Sequence, residues 1–185
     1  MGAVNNQIYY ITGNEKKFSE AKLILPQLKM LSIGLKEIQS LDPDKIAEEK
    51  AKEALKVTRV KRLVVDDVSL YLECLDDKLP GPLIKWFLSS ITNNGIYTLA
   101  KKFGLYGAKA VCTLCYAERC GRTKIIRGVV SGHIVKADKI SKKSWDEIFV
   151  PNGSSRRFSE MRIKEKNLIG HRGMAVRKLK RYLKL

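Results

Sequence analysis

The chain opens by alternating strand-length apolar runs with stretches of helical spacing, and this alternation commits its first third to layered α/β structure. Ile8 to Ile11 is the first strand-length run. Behind Thr12-Gly13, the stretch Asn14 to Leu25 carries Phe18, Ala21 and Leu25 on one helical face and stops at Pro26. A short apolar segment, Met30 to Leu35, follows. Asp42-Pro43-Asp44 starts a second helix, which lays Ile46, Ala47, Ala51, Ala54 and Leu55 over a sheet. Leu63-Val64-Val65 then reads as a buried strand delivering Asp66 and Asp67 at its carboxyl end, where open α/β sheets place ligands.

Further along, Leu79-Pro80-Gly81-Pro82 is a rigid turn before the apolar-aromatic run Ile84 to Leu88, and Ile96 to Phe103 has helical spacing. From Ala108 to Val135 the pattern becomes strand-rich, with a turn at Arg119 to Arg122 and a second break at Gly128. It predicts a hairpin or meander forming an outer lobe over roughly residues 108–135. Ser141 to Ser155 reads as loop, and Asn167 to Leu183 as a terminal helix with Met174, Leu179, Tyr182 and Leu183 inward. No repeat or low-complexity linker divides the 185 residues, so one domain spanning 1–185 is expected.

Lys plus Arg outnumber Asp plus Glu by 36 to 19, and the resulting net charge of +17 favours anionic partners: nucleotides, nucleic acids or acidic surfaces. Arg177 to Lys184 places five cations in eight residues, which suits a solvated helix face or a contact for RNA or an acidic protein. No apolar stretch approaches the roughly 20 residues that span a bilayer. Met1 to Gln7 has neither the basic nor the apolar region of a secretory signal, so a cytoplasmic protein without membrane contact is expected. Cys112 and Cys115 form a Cys-x-x-Cys inside the apolar run Ala110 to Ala117, where strand alternation sends them to opposite faces. With His133 and His171 far along the chain, buried free thiols are expected in place of a zinc site.

Three short motifs carry chemistry. Thr12-Gly13-Asn14-Glu15-Lys16-Lys17 joins a strand to a helix, where unpaired amides, the helix dipole and Lys17 suit phosphate. Asp66 and Asp67, with Glu37 from the Glu37-Ile38-Gln39 segment, suit Mg²⁺, which takes one or two carboxylates and keeps several waters. Successive strand residues face opposite ways, so one of the two aspartates at most faces such a site, and a solvated turn remains the alternative. Glu165-Lys166-Asn167 precedes Gly170-His171-Arg172, whose donors match O6 and N7 of a keto-purine.

In order and context these motifs resemble the inosine triphosphatase family over about Ile8 to Tyr182. Leu79-Pro80-Gly81-Pro82 with Ile84-Lys85-Trp86-Phe87-Leu88 is similar to its eukaryotic branch, and Trp145-Asp146, Phe149, Pro151 and Gly153 also match. The resemblance implies an elongated mixed β-sheet with flanking helices, two lobes around a nucleotide cleft, and a homodimer. It implies hydrolysis of ITP, dITP and XTP to monophosphate and pyrophosphate with Mg²⁺, or Mn²⁺ in its place. Thr12, Gly13, Asn14, Glu15, Lys16, Lys17, Lys50 and Lys166 would then meet the triphosphate, with Val68 and Lys85 also at the substrate. Glu37, Asp66 and Asp67 would serve the metal, and Asp67 would be the base. Lys143, Ser144, Trp145, Asp146, His171 and Arg172 would frame the purine. The family's loop begins with an aromatic that stacks on the base, and here that position is Lys143. Such stacking contributes roughly 1–3 kcal/mol. A weakly catalytic nucleotide binder and a nucleic-acid binder on the same fold are the two rival readings.

Overall fold

The computed structural model describes residues 7–185, so residues 1–6, on which most of the reading of the N-terminus rests, lie outside the described residues. The elements are β1 (Ile8–Ile11), α1 (Glu15–Ile24), β2 (Leu28–Leu31), α2 (Pro43–Val57), β3 (Arg62–Leu72), β4 (Pro80–Gly81), α3 (Ile84–Phe103), β5 (Gly107–Glu118), β6 (Thr123–Ile134), β7 (Phe149–Pro151), α4 (Ile163–Ile169) and α5 (His171–Tyr182). One sheet carries seven strands in the order β2-β1-β3-β5-β6-β7, with β4 added on β3. β1 pairs in parallel with β2 and β3, while β3, β5, β6 and β7 are antiparallel. The mixed sheet with flanking helices agrees with the expected fold class.

Several expectations change in the folded chain. Asp66 and Asp67 do not end their strand: β3 continues through Leu72 because Val68, Leu70 and Leu72 resume an alternating apolar pattern and β5 pairs with β3 along its whole length. Residues 108–135 form the expected hairpin, β5–β6, turned at residues 119–122, and it joins the main sheet between β3 and β7. Gly128 does not break β6; it is needed because a Cβ there would come within 2.0 Å of the His171 carbonyl oxygen on α5. The segment Ser141 to Ser155 contains β7, paired to β6 through Ile134↔Phe149. The terminal helix is two helices separated at Gly170, whose extended backbone caps both, and Tyr182 is exposed. Ile84 to Leu88 opens α3, which is kinked at Thr92 with φ 65°.

The helices divide between the two faces. Val64, Cys112, Leu114 and Tyr116 pack with α1 and α5, and Leu70, Leu72 and Ala110 pack with α3. Leu63, Val65, Cys115 and Ala117 pack with α2 on the opposite face. Cys112 and Cys115 thus lie on opposite faces as free, buried thiols, each with its pKa pushed up to about 12 by burial. No helix among the described residues is long and apolar enough to cross a membrane.

Register leaves one gap in the sheet. On its β1 side β3 pairs at Leu63 and Val64, and β4 takes up the same edge only at Leu70 and Tyr71. Between those pairings, the edge of β3 at Asp66–Ser69 has no neighbouring strand on that side among the described residues.

Candidate active site

A cleft of about 710 Å³ opens at this gap. Because no strand closes the edge, side chains from both faces of β3 reach it, and Asp66 and Asp67 both line it. The sequence expectation that one at most faces the site is thereby corrected. Every other residue expected at the site also lines the cleft except Thr12. Thr12 shapes the entry instead, its Oγ1 accepting from the Asn14 amide at 3.1 Å. Asn14 then caps α1 by accepting from the Lys17 amide at 3.2 Å. This leaves the first amides of α1 without intrahelical partners beside Lys16 and Lys17.

The two aspartates have different environments. Asp66 is buried, and its Oδ2 meets Lys17 Nζ at 3.0 Å and Arg172 Nη2 at 3.3 Å. Burial alone would raise its pKa, but Lys17, Arg172 and Lys50 outweigh it and hold Asp66 well below the usual carboxylate range. Asp67 accepts from Ser69 Oγ at 3.1 Å. Here burial prevails, helped by the neighbouring charge of Asp66, and its pKa is raised despite Ser69 and Lys17. The two neighbours are thus shifted in opposite directions, Asp66 toward the anion and Asp67 toward the protonated form.

Glu37 pairs with Lys50 and lies 3.8 Å from Lys85 Nζ. Burial opposes its charge, but those lysines win and its pKa is lowered. The segment bearing Glu37 is tied to α3 by Trp86 Nε1, which donates to Gln39 Oε1 at 2.8 Å. Among the described residues no three His, Cys, Asp or Glu side chains form a metal cluster, so Glu37, Asp66 and Asp67 do not converge as a ligand triad. Asp66 is committed to its cations.

At the other end, the buried Arg172 reaches Asp66 and, with Nη1, Glu20. Both Nη groups are thus turned onto carboxylates, while its Nε is buried without a partner among the described residues. Burial opposes the charge of Arg172, yet Asp66 and its neighbours raise its pKa well above the ordinary value. Lys166 lies 3.4 Å from Glu20 Oε1 and 2.6 Å from Asp146 Oδ2. A continuous chain of charges thus runs Lys17–Asp66–Arg172–Glu20–Lys166–Asp146. Glu20 was missed by sequence reasoning, although its place one helical turn after Lys17 puts both on one face of α1. Trp145 is a buried ring at 5.6 Å from Phe149 and 5.5 Å from His171, so it packs the core and also lines the cleft. Burial, with Arg172 and Lys166 nearby, lowers the His171 pKa well below the ordinary value and keeps the imidazole neutral. Its Nδ1 is buried without a partner among the described residues.

The basic terminal run has partial structural employment. Arg177 donates to the carbonyls of Asn167 and Leu168, and Lys178 donates to that of Arg127 at 2.7 Å.

The chain is 37% identical over 186 residues to the inosine triphosphate pyrophosphatase of Podospora anserina, covering 98% of this chain and 96% of that protein. It is 34% identical over 191 residues to the protein of that name from Saccharomyces cerevisiae, covering 97% and 96%. Among solved structures, a HAM1 protein from Coxiella burnetii superposes with a TM-score of 0.80 at 21% identity, covering 96% of this chain and 98% of that one. The Ham1 protein of Staphylococcus aureus gives 0.76 at 22%, with the same coverage. These two establish likeness of fold. Residues 8–182 match the model of the Ham1 family, and with relatives this similar over nearly its whole length, the chain belongs to that family.

Proposed function

We propose that this chain is a hydrolase that cleaves the α–β anhydride of ITP, dITP and XTP, releasing the nucleoside monophosphate and pyrophosphate. The observation that carries the reading is the sheet gap, which sets a carboxylate of raised pKa, Asp67, beside the lysine-bearing N-terminus of α1. The names of its relatives point to the same substrate class.

Lys17, Lys50 and Lys85 supply cations for the triphosphate, and the first amides of α1 hold its oxygens. Asp67 orients the attacking water and takes its proton as the oxygen closes on the α-phosphorus. Asp66 keeps Lys17 and Arg172 in place through its carboxylate. Glu37 and Asp67 fit a hard divalent cation, which needs few carboxylates when phosphate and water complete its shell. Mg²⁺, or Mn²⁺ in its place, would supply charge neutralisation to the phosphates there. The neutral His171, on the wall with Trp145 and Asp146, suits a keto-purine, which accepts where adenine presents an amino group. The family resemblance also supports a homodimer, to be checked by sedimentation.

The deciding experiment is a screen of ITP, dITP, XTP, GTP and ATP with Mg²⁺ that separates pyrophosphate from orthophosphate. Pyrophosphate from ITP and XTP, well above ATP, is expected. Orthophosphate release, or a preference for ATP, would reject the reading.

A further inference from the structure

Lys143 lies on a part of the cleft wall that is neither helix nor strand, yet that segment is pinned. α3 breaks at Thr92, and the next residue, Asn93, is fully buried. Its side-chain Nδ2 donates to the Lys139 carbonyl at 2.9 Å, and its Oδ1 accepts from the Ser141 amide at 2.8 Å. The backbone amide of Asn93 donates to the Ser141 carbonyl at 2.9 Å. Ser141 Oγ then accepts from the amides of Lys143 and Ser144, each at 3.1 Å. Ser144 Oγ accepts from the Asp146 amide at 3.2 Å. An unbroken set of hydrogen bonds therefore runs from the α3 kink to Asp146, holding the backbone of Lys143 at the cleft.

The other charges at this end are spoken for. Lys166 pairs with Asp146 and Glu20, Arg172 pairs with Glu20 and Asp66, and His171 is neutral. Lys143 lines the same wall with no carboxylate partner among the described residues. The purine end thus carries one ammonium whose charge nothing in the described wall balances.

Purine bases differ in how they would meet it. Hypoxanthine and guanine are neutral rings at neutral pH, whereas xanthine in a nucleotide loses a ring proton under mildly acidic conditions and is largely an anion at neutral pH. An unbalanced cation beside the base favours the anion by direct Coulomb attraction, weakened by the water that reaches it. We propose that Lys143 is a specificity-determining residue that makes this cleft prefer the xanthine anion, so that XTP is used ahead of ITP. This rests on the reading that the purine lies against residues 143–146 and His171.

The test is kcat/KM for XTP and ITP, from mildly acidic to mildly basic pH, in the parent, Lys143→Gln and Lys143→Arg. In the parent the XTP-to-ITP ratio should climb as the xanthine ring ionises. Lys143→Gln should lower that ratio roughly two- to fivefold on the basic side, the range of an exposed, screened ion pair, and flatten its climb. Lys143→Arg should retain most of it. Equal losses on both substrates would place the ammonium on the phosphates and overturn the proposal, as would an unchanged ratio. Calorimetric titration with XMP and IMP reads the same preference without turnover. A parent that releases no pyrophosphate would therefore reject the hydrolase reading and still leave this one decided by binding.

Discussion

Asp66 and Asp67 are neighbours in sequence with opposite electrostatic fates, and the difference makes them separable by experiment. Asp67 must lose its proton to act as a base, and burial raises its pKa. Without a divalent cation, Asp67 should therefore titrate above the ordinary aspartate value of about 3.9, followed by NMR, and Mg²⁺ should lower it. Asp67→Asn should remove most turnover. Its effect on stability follows from the same shift: a carboxyl whose folded pKa is raised contributes stability below its unfolded pKa and loses it as pH rises through the folded value. At neutral pH its charge costs stability, so Asp67→Asn should melt no lower than the parent. A folded Asp67→Asn variant with near-normal turnover, or one that melts well below the parent, would count against this account. Arg172 presents the reverse case, since removing it leaves Asp66 and Glu20 buried without their guanidinium. Arg172→Met should lose about 3–5 kcal/mol in urea unfolding. Asp66 is held low, so its contribution is complete above its unfolded pKa and fades as pH falls through the folded one. In Arg172→Met the folded pKa of Asp66 should rise toward the unfolded one, so the loss of stability with acid should be smaller and complete at higher pH, read from urea unfolding at a series of acidic pH values.

At the scale of elements, α5 lies so close to β6 that only glycine fits between them. An added Cβ at Gly128 would meet the His171 carbonyl oxygen at 2.0 Å and the Ala175 amide nitrogen at 2.6 Å, both backbone atoms that yield only if the helix moves. Gly128→Ala should cost about 1–3 kcal/mol of stability by overpacking. It should also impair catalysis, because the displaced turn carries His171 and Arg172; intact stability and kinetics would refute the contact. The sequence marked this glycine but suggested a strand break, since local pattern cannot reveal a helix arriving from 43 residues further on. What was legible was local: the helix starts at Asn14 and Asp42, the helical faces of α1 and α2, and the β5–β6 turn all follow from residue type and spacing. What was hidden depended on distant partners. β7 is three residues long and exists because β6 offers it an edge, and Glu20 is buried because α4 and α5 bring it Lys166 and Arg172.

Across the whole molecule, the cleft is a consequence of strand lengths. β1 is four residues long while β3 runs for eleven, so β3 outlasts its parallel neighbour and carries Asp66 and Asp67 along an edge without a partner strand before β4 covers it. Of the residues the sequence placed at the site, all but Thr12 line the cleft, because their motifs are short and contiguous, but the sequence missed Glu20 and much of the apolar wall and could not show that a sheet gap exposes both faces at once. That geometry also sets where ligand binding should be felt. The walls come from α1, α2, α3, α4, α5 and the Lys143–Asp146 loop, so a nucleotide bound there touches elements on both faces of the sheet. A ligand that binds only the folded state at a hundredfold excess over its Kd adds about 2.7 kcal/mol. For a chain of this length each kcal/mol raises Tm by about 2–4 °C, so a non-hydrolysable ITP analogue with Mg²⁺ should raise it by roughly 5–10 °C. Hydrogen exchange should slow in α1 and in the loop bearing Lys143 together, since one ligand would bridge them. Protection confined to α1 would mean that the phosphates bind while the base remains free, and would move purine selection away from Lys143 and His171.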